Sequence, residues 1–469
     1  MTLTYDLVAI GGGTGGLVSA AGAAYLGLTS AIVEKTALGG DCLWTGCVPS
    51  KALIASARMA HGAAHASALG LTDHGGPPDF GRVMDRMKKA RATVAHHDDP
   101  ERFRSMGVDV HLGAGRFTSA STLEVDGVGT IRSKRFVIAT GAVAFVPPIP
   151  GLSESGYWTY ETVFDQQELP ERVTVLGGGP IGLEFAQVFS RLGAEVTVVE
   201  MAERLLVKED PDVSAFMSER LTAEGIRIRT STKADSVATD EKGQHVTTAG
   251  GDRIYGDQIF VATGRSPNTE GLGLEAAGVE MDRSAIRVDP YLQTTAKGIW
   301  AVGDVTGGLQ FTHVAEHMAK TALQNAVLPI KRKVHYEHVP WVTYTDPEVA
   351  HIGLSEADAT AKGGTTYLYS MEDLDRAIVD GSDVGFVKIS ADRKGRILGA
   401  TIVAHGAGEL LQPLVLAKQN GLTLAKVAGT IFPYPTMVEG VKRTSNEYMR
   451  GRLDTFSGKA LKKVIGWLK

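Results

Sequence analysis

The chain has 469 residues, 43% of them apolar and 22% charged, with a formal net charge of −5. That balance describes a globular protein long enough for roughly three domains and gives no basic surplus for a nucleic-acid partner. No uninterrupted apolar run reaches the ~18 residues of a membrane helix, and Met1 to Tyr5 carries no basic, cleavable leader, so a cytoplasmic location is expected.

Asp6 to Ile10 reads as a buried parallel strand. Gly11-Gly12-Gly13-Thr14-Gly15-Gly16 follows, then an alanine-rich helix from Leu17 to Leu26 and a strand from Ser30 to Val33 that ends in Glu34. Strand, glycine turn, helix and strand with a terminal acid form the dinucleotide-binding fingerprint. The glycines let backbone N–H groups and the helix N-terminus approach a pyrophosphate, and Glu34 can accept hydrogen bonds from ribose hydroxyls. Gly11, Gly13, Thr14, Gly15, Gly16 and Glu34 are therefore candidate cofactor contacts.

The next stretch, Gly39 to Lys51, holds the only two cysteines, Cys42 and Cys47. Five steps at about 100° put their side chains roughly 140° apart on an undistorted helix, so a bridge between them needs a distorted turn. A strained disulfide is easily reduced, and in a reducing compartment it makes more sense as an electron store than as a staple. Two unrelated buried thiols, behaving as small hydrophobes, are the alternative at this point. Lys51 lies one helical turn past Cys47 and can share its face. Gly40 and Asp41 join the candidate cofactor contacts.

The same device recurs. Val173 to Leu176 is a strand, Gly177-Gly178-Gly179-Pro180-Ile181-Gly182 the turn, Leu183 to Leu192 the helix, and Glu195 to Val199 a strand ending in Glu200. First glycine and acid are 23 residues apart in both copies, which makes Gly177, Gly179, Gly182 and Glu200 contacts for a second dinucleotide. Each copy is followed by an apolar strand closing on Ala-Thr-Gly, Phe136 to Gly141 and Ile259 to Gly264, so the repeat covers whole domains, the second inserted into the first. Gly141 and Gly264 are added to the candidate contacts. Pro147 to Gly151 marks the crossing out and Arg265 to Asn268 the crossing back. A strand from Gly298 to Val302 runs into Gly303-Asp304, where an acid at the carboxyl end of a parallel strand faces the ligand crevice. Beyond Val334, strands such as Phe386 to Ser390 and Ile397 to Val403 and a helix from Leu410 to Lys418 indicate an α+β domain whose expected job is association. The expected boundaries are 1–150 with 266–334, 151–265, and 335–469.

Two fingerprints, two Ala-Thr-Gly segments, Gly303-Asp304 and the run Cys42 to Lys51 together resemble the flavin-dependent pyridine nucleotide-disulfide oxidoreductases, the family of lipoamide dehydrogenase, glutathione reductase and mercuric reductase. The resemblance covers essentially the whole chain. It implies an α/β fold of two nested Rossmann-like domains plus a C-terminal α+β dimerisation domain, and a homodimer. It also implies FAD at Gly11, Gly13, Gly16, Glu34 and Asp304, a nicotinamide cofactor at the second fingerprint, Cys47 as the thiolate against the flavin, and Cys42 as the thiol that meets the acceptor. In the family a lysine in the place of Lys51 pairs with a glutamate of the second fingerprint helix, here Glu184. Glu200 accepts ribose hydroxyls but repels a 2′-phosphate, so NADH is expected over NADPH, with Arg204 nearby to soften the preference.

Departures narrow the acceptor. Disulfide-reducing relatives carry His-Pro-Thr-x-x-Glu near the C-terminus, supplied across the dimer; here the stretch reads Tyr434-Pro435-Thr436-Met437-Val438-Glu439. A phenol with a reference pKa of about 10 does not shuttle protons near neutrality, which disfavours ordinary lipoamide or glutathione turnover. Tyrosine in this context is similar to mercuric reductase, yet that enzyme's C-terminal cysteine pair is lacking. Trp44 either narrows access to Cys42 or packs on a neighbouring helix, and Pro180 replaces a bulky gate over the nicotinamide. The reading is hydride transfer from NADH to FAD and electron transfer through Cys47 and Cys42 to a thiol-reactive acceptor, a disulfide or a thiophilic metal ion. Tyr434 and Glu439 of the other subunit would orient it. A dihydrolipoamide dehydrogenase or other disulfide reductase, an NADH diaphorase or quinone reductase, and a non-catalytic flavin-binding scaffold are the alternatives.

No resident metal site is expected: His61 and His65, and His96-His97-Asp98-Asp99, read as ordinary surface or helix-end residues. The tail places Leu461, Val464, Ile465 and Leu468 at helical spacing among Lys459, Lys462, Lys463 and Lys469, beside Trp467. Packing on the dimer surface is expected of it, with an anionic membrane or acidic partner as the alternative.

Overall fold

The computed structural model describes residues 2–76, 78–453 and 463–468. Leu7–Ile10 is the central strand of a five-stranded parallel sheet whose spatial order is 299–301, 136–138, 7–10, 30–34, 108–112. Leu7, Val8 and Ala9 are fully buried, as expected of a strand covered on both faces. Its register sets Leu7 beside Ser30 and Val8 beside Phe136, so the glycine turn after Ile10 emerges at the carboxyl edge of the sheet. The Thr14–Tyr25 helix starts within the glycine run, three residues earlier than its apolar pattern suggests.

A second parallel sheet repeats this, in the order 227–229, 195–199, 172–176, 258–261. Its helix, Pro180–Arg191, begins at Pro180, where the missing N–H costs nothing and φ is already helical. The chain leaves the first sheet through Ala142–Ala144 and returns through Arg265–Pro267, and these two strands pair antiparallel. Two small sheets escaped the sequence reading, besides the two-residue strands Met281–Asp282 and Ala285–Ile286 that pair with each other. One joins Gly115–Ser119, Thr122–Val125, Gly129–Ser133 and Thr2–Tyr5; the other is the meander Ala234–Asp240, Gly243–Thr248, Arg253–Tyr255. Their strands are short and half-exposed, which dilutes the alternating pattern.

The C-terminal part is a five-stranded antiparallel sheet in the order 340–343, 348–353, 397–404, 386–391, 365–370. The Glu439–Arg452 helix lies against it with Val441 and Tyr448 buried. The helix expected from Leu410 runs from Gln412 to Gln419, displaced by Pro413 at its first turn. Of the basic tail, Lys459, Leu461, Lys462 and Lys469 lie outside the described residues. Val464, Ile465, Trp467 and Leu468 are exposed in a single helical turn, so no packing within the described protomer covers them. Among the described residues no helix is long and apolar enough to cross a membrane.

Candidate active site at a helix break

The two cysteines stand on either side of an interruption. The Gly40–Trp44 helix carries Cys42, Thr45 and Gly46 leave helical geometry, and Cys47 opens the Cys47–Ala64 helix. The break brings the side chains together as an undistorted helix does not. Gly46 permits it, since a Cβ there would lie 2.7 Å from the Asp41 carbonyl oxygen.

Both sulfurs are free thiols, and their environments differ. The hydrogen bond donated by the Cys42 thiol brings Cys47 down to about 5, against the opposing effect of burial, with Thr312 and Lys51 adding to the fall. The same hydrogen bond, together with burial, pushes Cys42 well up. Cys47 is thus the thiolate of the pair and Cys42 the protonated member. Cys47 also occupies the first position of an 18-residue helix, where backbone N–H groups favour an anion.

Lys51 Nζ lies 2.9 Å from Glu184 Oε2 and 4.4 Å from the Tyr344 ring centroid. Burial works against the ammonium, but Glu184 and the Cys47 thiolate hold it charged, so its net shift is upward. Glu184 Oε1 accepts the Tyr344 N–H at 2.9 Å, which fixes the carboxylate between the second nucleotide domain and the C-terminal sheet. Thr312, first residue of the Thr312–Val327 helix, places its hydroxyl 3.5 Å from Cys47 Sγ and meets Cys42 as well.

A continuous cavity of about 2260 Å³ runs from the first glycine turn past the thiols to the second. Gly11, Gly13, Thr14, Gly15, Glu34, Gly40, Asp41, Gly141, Gly177, Gly179, Glu200, Gly264, Gly303 and Asp304 all line it, as do Cys42, Cys47, Lys51 and Glu184. The two turns are built alike: Glu34 Oε2 accepts from Gly12 N and Glu200 Oε2 from Gly178 N, each at 2.6 Å. The residues fit dinucleotides. A Cβ on Gly179 would meet nothing within 4 Å and one on Gly13 only the Cα of Gly40, so both turns offer bare backbone to a phosphate. Gly16 and Gly182, expected among the cofactor contacts, do not line the cavity. A Cβ on Gly16 would sit 1.9 Å from the Gly11 carbonyl oxygen, and one on Gly182 2.0 Å from that of Gly177, so their work is to let helix meet turn.

Arg265 is a site residue that sequence reasoning passed over. Its guanidinium bridges Asp41 Oδ2 at 2.9 Å and Asp304 Oδ2 at 2.7 Å and lies 5.5 Å from the Tyr160 ring, while its Nε is buried without a partner. Burial raises both carboxyls and Arg265 opposes the rise. Arg204 is committed elsewhere, to the carbonyl oxygens of Glu209 and Val207 and the hydroxyl of Ser214. Trp44 lines the large cavity with Cys42 and is held there by packing: its Nε1 donates to the Leu38 carbonyl at 2.8 Å and the Arg91 guanidinium lies 5.5 Å from its ring. Pro180 lines the cavity at the second turn. Tyr434 and Glu439 are not brought to the thiols within one chain. The exposed Tyr434 hydroxyl donates to Asp375 Oδ2 at 3.0 Å, and Glu439 is buried at the start of its helix.

Two dinucleotide turns feeding one cavity past a polarised dithiol define an NAD(P)H-dependent flavoprotein oxidoreductase. The chain belongs to the pyridine nucleotide-disulphide oxidoreductase family, whose description matches residues 5–319, with the family's dimerisation domain at residues 339–445. It is 37% identical to a mercuric reductase of Bacillus cereus over 93% of this chain and 70% of that protein. It is 36% identical to a mercuric reductase of Streptomyces lividans, over 95% of this chain and 96% of the other. Identity to a dihydrolipoyl dehydrogenase of Rhizobium etli is also 36%, over 94% and 97%. Among solved structures it is similar to the HOCl-induced flavoprotein disulfide reductase RclA from Escherichia coli in its Cu(II) complex, with a TM-score of 0.86 and 28% identity over 94% of this chain and 99% of that one. LpdA from Mycobacterium tuberculosis gives a TM-score of 0.87, again at 28% identity and with coverage of 94% and 99%. The family uses FAD and NAD(P)H, and its members act on disulfides or metal ions.

Proposed function

We propose that this enzyme passes electrons from NADH through FAD and the Cys42–Cys47 pair to a thiol-reactive acceptor, a disulfide or a thiophilic metal ion. One observation carries the reading: the helix break sets Cys42 and Cys47 together in the cavity that joins both glycine turns, with the Lys51–Glu184 pair beside them. When bound, FAD supplies two-electron acceptance from the nicotinamide and delivery to sulfur. The protein's part is to hold and orient. Gly11, Gly13 and Gly15 present backbone to the FAD pyrophosphate, Glu34 takes its ribose, and Asp41 and Asp304, clamped by Arg265, border the flavin end. Gly177, Gly179 and Glu200 do the same for the nicotinamide cofactor. Lys51, held by Glu184, keeps positive charge beside Cys47, and Cys42 meets the acceptor. Glu200 and the engagement of Arg204 with backbone favour NADH over NADPH. Tyr434 and Glu439 reach the acceptor site from the second subunit of a homodimer, which the matched dimerisation domain supports. The relatives named mercuric reductase support a metal ion among the acceptors.

The test is anaerobic. The flavoprotein is reduced with NADH or NADPH, and its reoxidation by a panel of disulfides, Cu(II) and Hg(II) is followed. NADH is expected to reduce the flavin faster, and Cys42→Ser is expected to keep that step while losing reoxidation by the panel. Unchanged reoxidation in Cys42→Ser would turn the enzyme into a diaphorase that bypasses its thiols.

A further inference from the structure

A second cavity, about 320 Å³, reaches Cys42 separately from the large one. Most of its wall is apolar, with Leu17 and Val18 from the first fingerprint helix, Val94 from the Phe80–Ala95 helix, and Phe103. Its two charged residues are Asp98 and Arg102. Arg102 is engaged, donating to the His97 carbonyl oxygen and lying 5.6 Å from the Phe103 ring. Asp98 is not: among the described residues its half-buried carboxyl has no hydrogen bond and no ion pair, although most carboxylates in such a position find one. Asp98 Oδ2 reaches within 3.2 Å of where a side chain on Gly39 would begin, at the N-cap of the short helix that carries Cys42.

Asp98 and Cys42 line the same cavity, and the charge of Asp98 reaches the thiol. The charge of Asp98 contributes to the rise of the Cys42 thiol, and burial raises the Asp98 carboxyl, opposed by Arg102 and His97. Those three residues are the titratable and charged groups facing Asp98. The fingerprint helix presents only Thr14, Leu17, Val18 and Ala21 to the cavity, and the Phe80–Ala95 helix only Val94. The acceptor reaction needs a proton exchanger, and the residue expected to supply one from the partner subunit is here Tyr434, whose hydrogen bond to Asp375 and the charge of that carboxylate raise it further from use near neutrality.

We propose that Asp98 is the acid–base group of the acceptor half-reaction, exchanging protons with Cys42 and with the leaving thiol inside this second cavity. The inference rests on the reading that Cys42 meets the acceptor. In the reduction of a disulfide R–S–S–R′, the Cys42 thiol gives its proton to the Asp98 carboxylate and its sulfur attacks. The Cys42–S–R bond forms, the acceptor S–S bond breaks, and the departing R′S⁻ takes the proton from Asp98. The Cys47 thiolate then attacks Cys42 Sγ, forming the Cys42–Cys47 disulfide and expelling RS⁻. That thiolate is protonated by Asp98 after the carboxylate has taken a proton from solvent. Two electrons pass from the dithiol to the acceptor, and the flavoprotein restores the dithiol.

The experiment uses the reduced holoenzyme of the parent, Asp98→Asn, Asp98→Glu and Cys42→Ser, reoxidised by an alkyl disulfide and by an aromatic disulfide whose leaving thiolate is stable without a proton. Asp98→Asn is expected to slow the alkyl disulfide by about 10²-fold, the size of a lost general acid, and the aromatic one far less, with part of the rate recovered in Asp98→Glu. Iodoacetamide gives a reading that does not depend on turnover: without the Asp98 charge, Cys42 ionises at lower pH and is alkylated faster near neutrality. Equal slowing of both disulfides, or an unaltered alkyl rate in Asp98→Asn while Cys42→Ser is inactive, overturns the assignment of Asp98 alone. A Cys42→Ser enzyme that still turns over, or a parent that neither disulfide reoxidises, overturns the reading beneath it.

Discussion

At Cys47 several influences meet on one sulfur, and their order decides its chemistry. The hydrogen bond from Cys42 comes first, burial opposes it, and Thr312 and Lys51 add to the stabilisation of the thiolate. Lys51 also neutralises Glu184, which would otherwise oppose the thiolate. Lys51→Met therefore removes a favourable charge and exposes an unfavourable one. Its expected effect is a rise of the Cys47 pKa by about one unit or more from its position near 5. Thiolate absorbance of the reduced protein against pH measures it. An unmoved titration would mean that the hydrogen bond and the helix N-terminus suffice without the cation.

At the scale of elements, the two turn-and-helix units have the same construction and different duties, and glycine substitutions separate them. Gly16 and Gly182 each lie against a carbonyl oxygen of their own turn, so any Cβ forces helix and strand apart. Gly16→Ala is expected to yield protein that does not retain flavin. Gly182→Ala is expected to keep flavin but show a raised KM for NADH, because the displaced helix carries both the cofactor turn and Glu184. Flavin absorbance after gel filtration and steady-state reduction rates check both, and loss of flavin from Gly182→Ala would place FAD at the wrong turn. These units were legible in the sequence because everything that defines them, strand, glycines, helix and acid, lies within about thirty consecutive residues. The pairing of Lys51 with Glu184 was legible only through family resemblance, since 133 residues separate them. Thr312, 265 residues from Cys47, and Arg265, 224 from Asp41, left no local signal, because a lone threonine or arginine announces nothing until the chain folds. Trp44 stood open between gating and packing; the acceptor for its indole N–H is a backbone carbonyl, and carbonyls are invisible in a sequence.

Across the whole molecule, polar side chains stitch the second nucleotide domain to the C-terminal sheet. Gln187 holds the backbone of Asp346 on both sides, and Arg191 bridges Glu224 at 2.8 Å and Asp346 at 2.9 Å. Lys388, almost fully buried, is shared by Asp210, Asp212 and Glu356. Those groups are paired; Glu209 is paired on one oxygen only. Trp341 Nε1 donates to its Oε1 at 2.5 Å, while Oε2 is buried without a partner, 3.9 Å from His351 Nδ1. Burial raises the carboxyl from 4.5 to about 6. The folded state thus holds its proton to higher pH than the unfolded chain, and this contribution to stability is full below the unfolded value and lost as pH rises through the folded one. A shift of that size corresponds to roughly 2 kcal/mol. Glu209→Gln keeps the acceptor for Trp341 and cannot ionise, so it should match the parent in acid, draw ahead as pH rises from about 4.5 to about 6, and hold a constant lead beyond. Thermal unfolding of the two proteins in parallel across that range measures the gap, with every other titrating group common to both. A gap that does not change with pH would mean that the folded protein holds the Glu209 proton no more tightly than the unfolded chain does, and that the seam tolerates its charge.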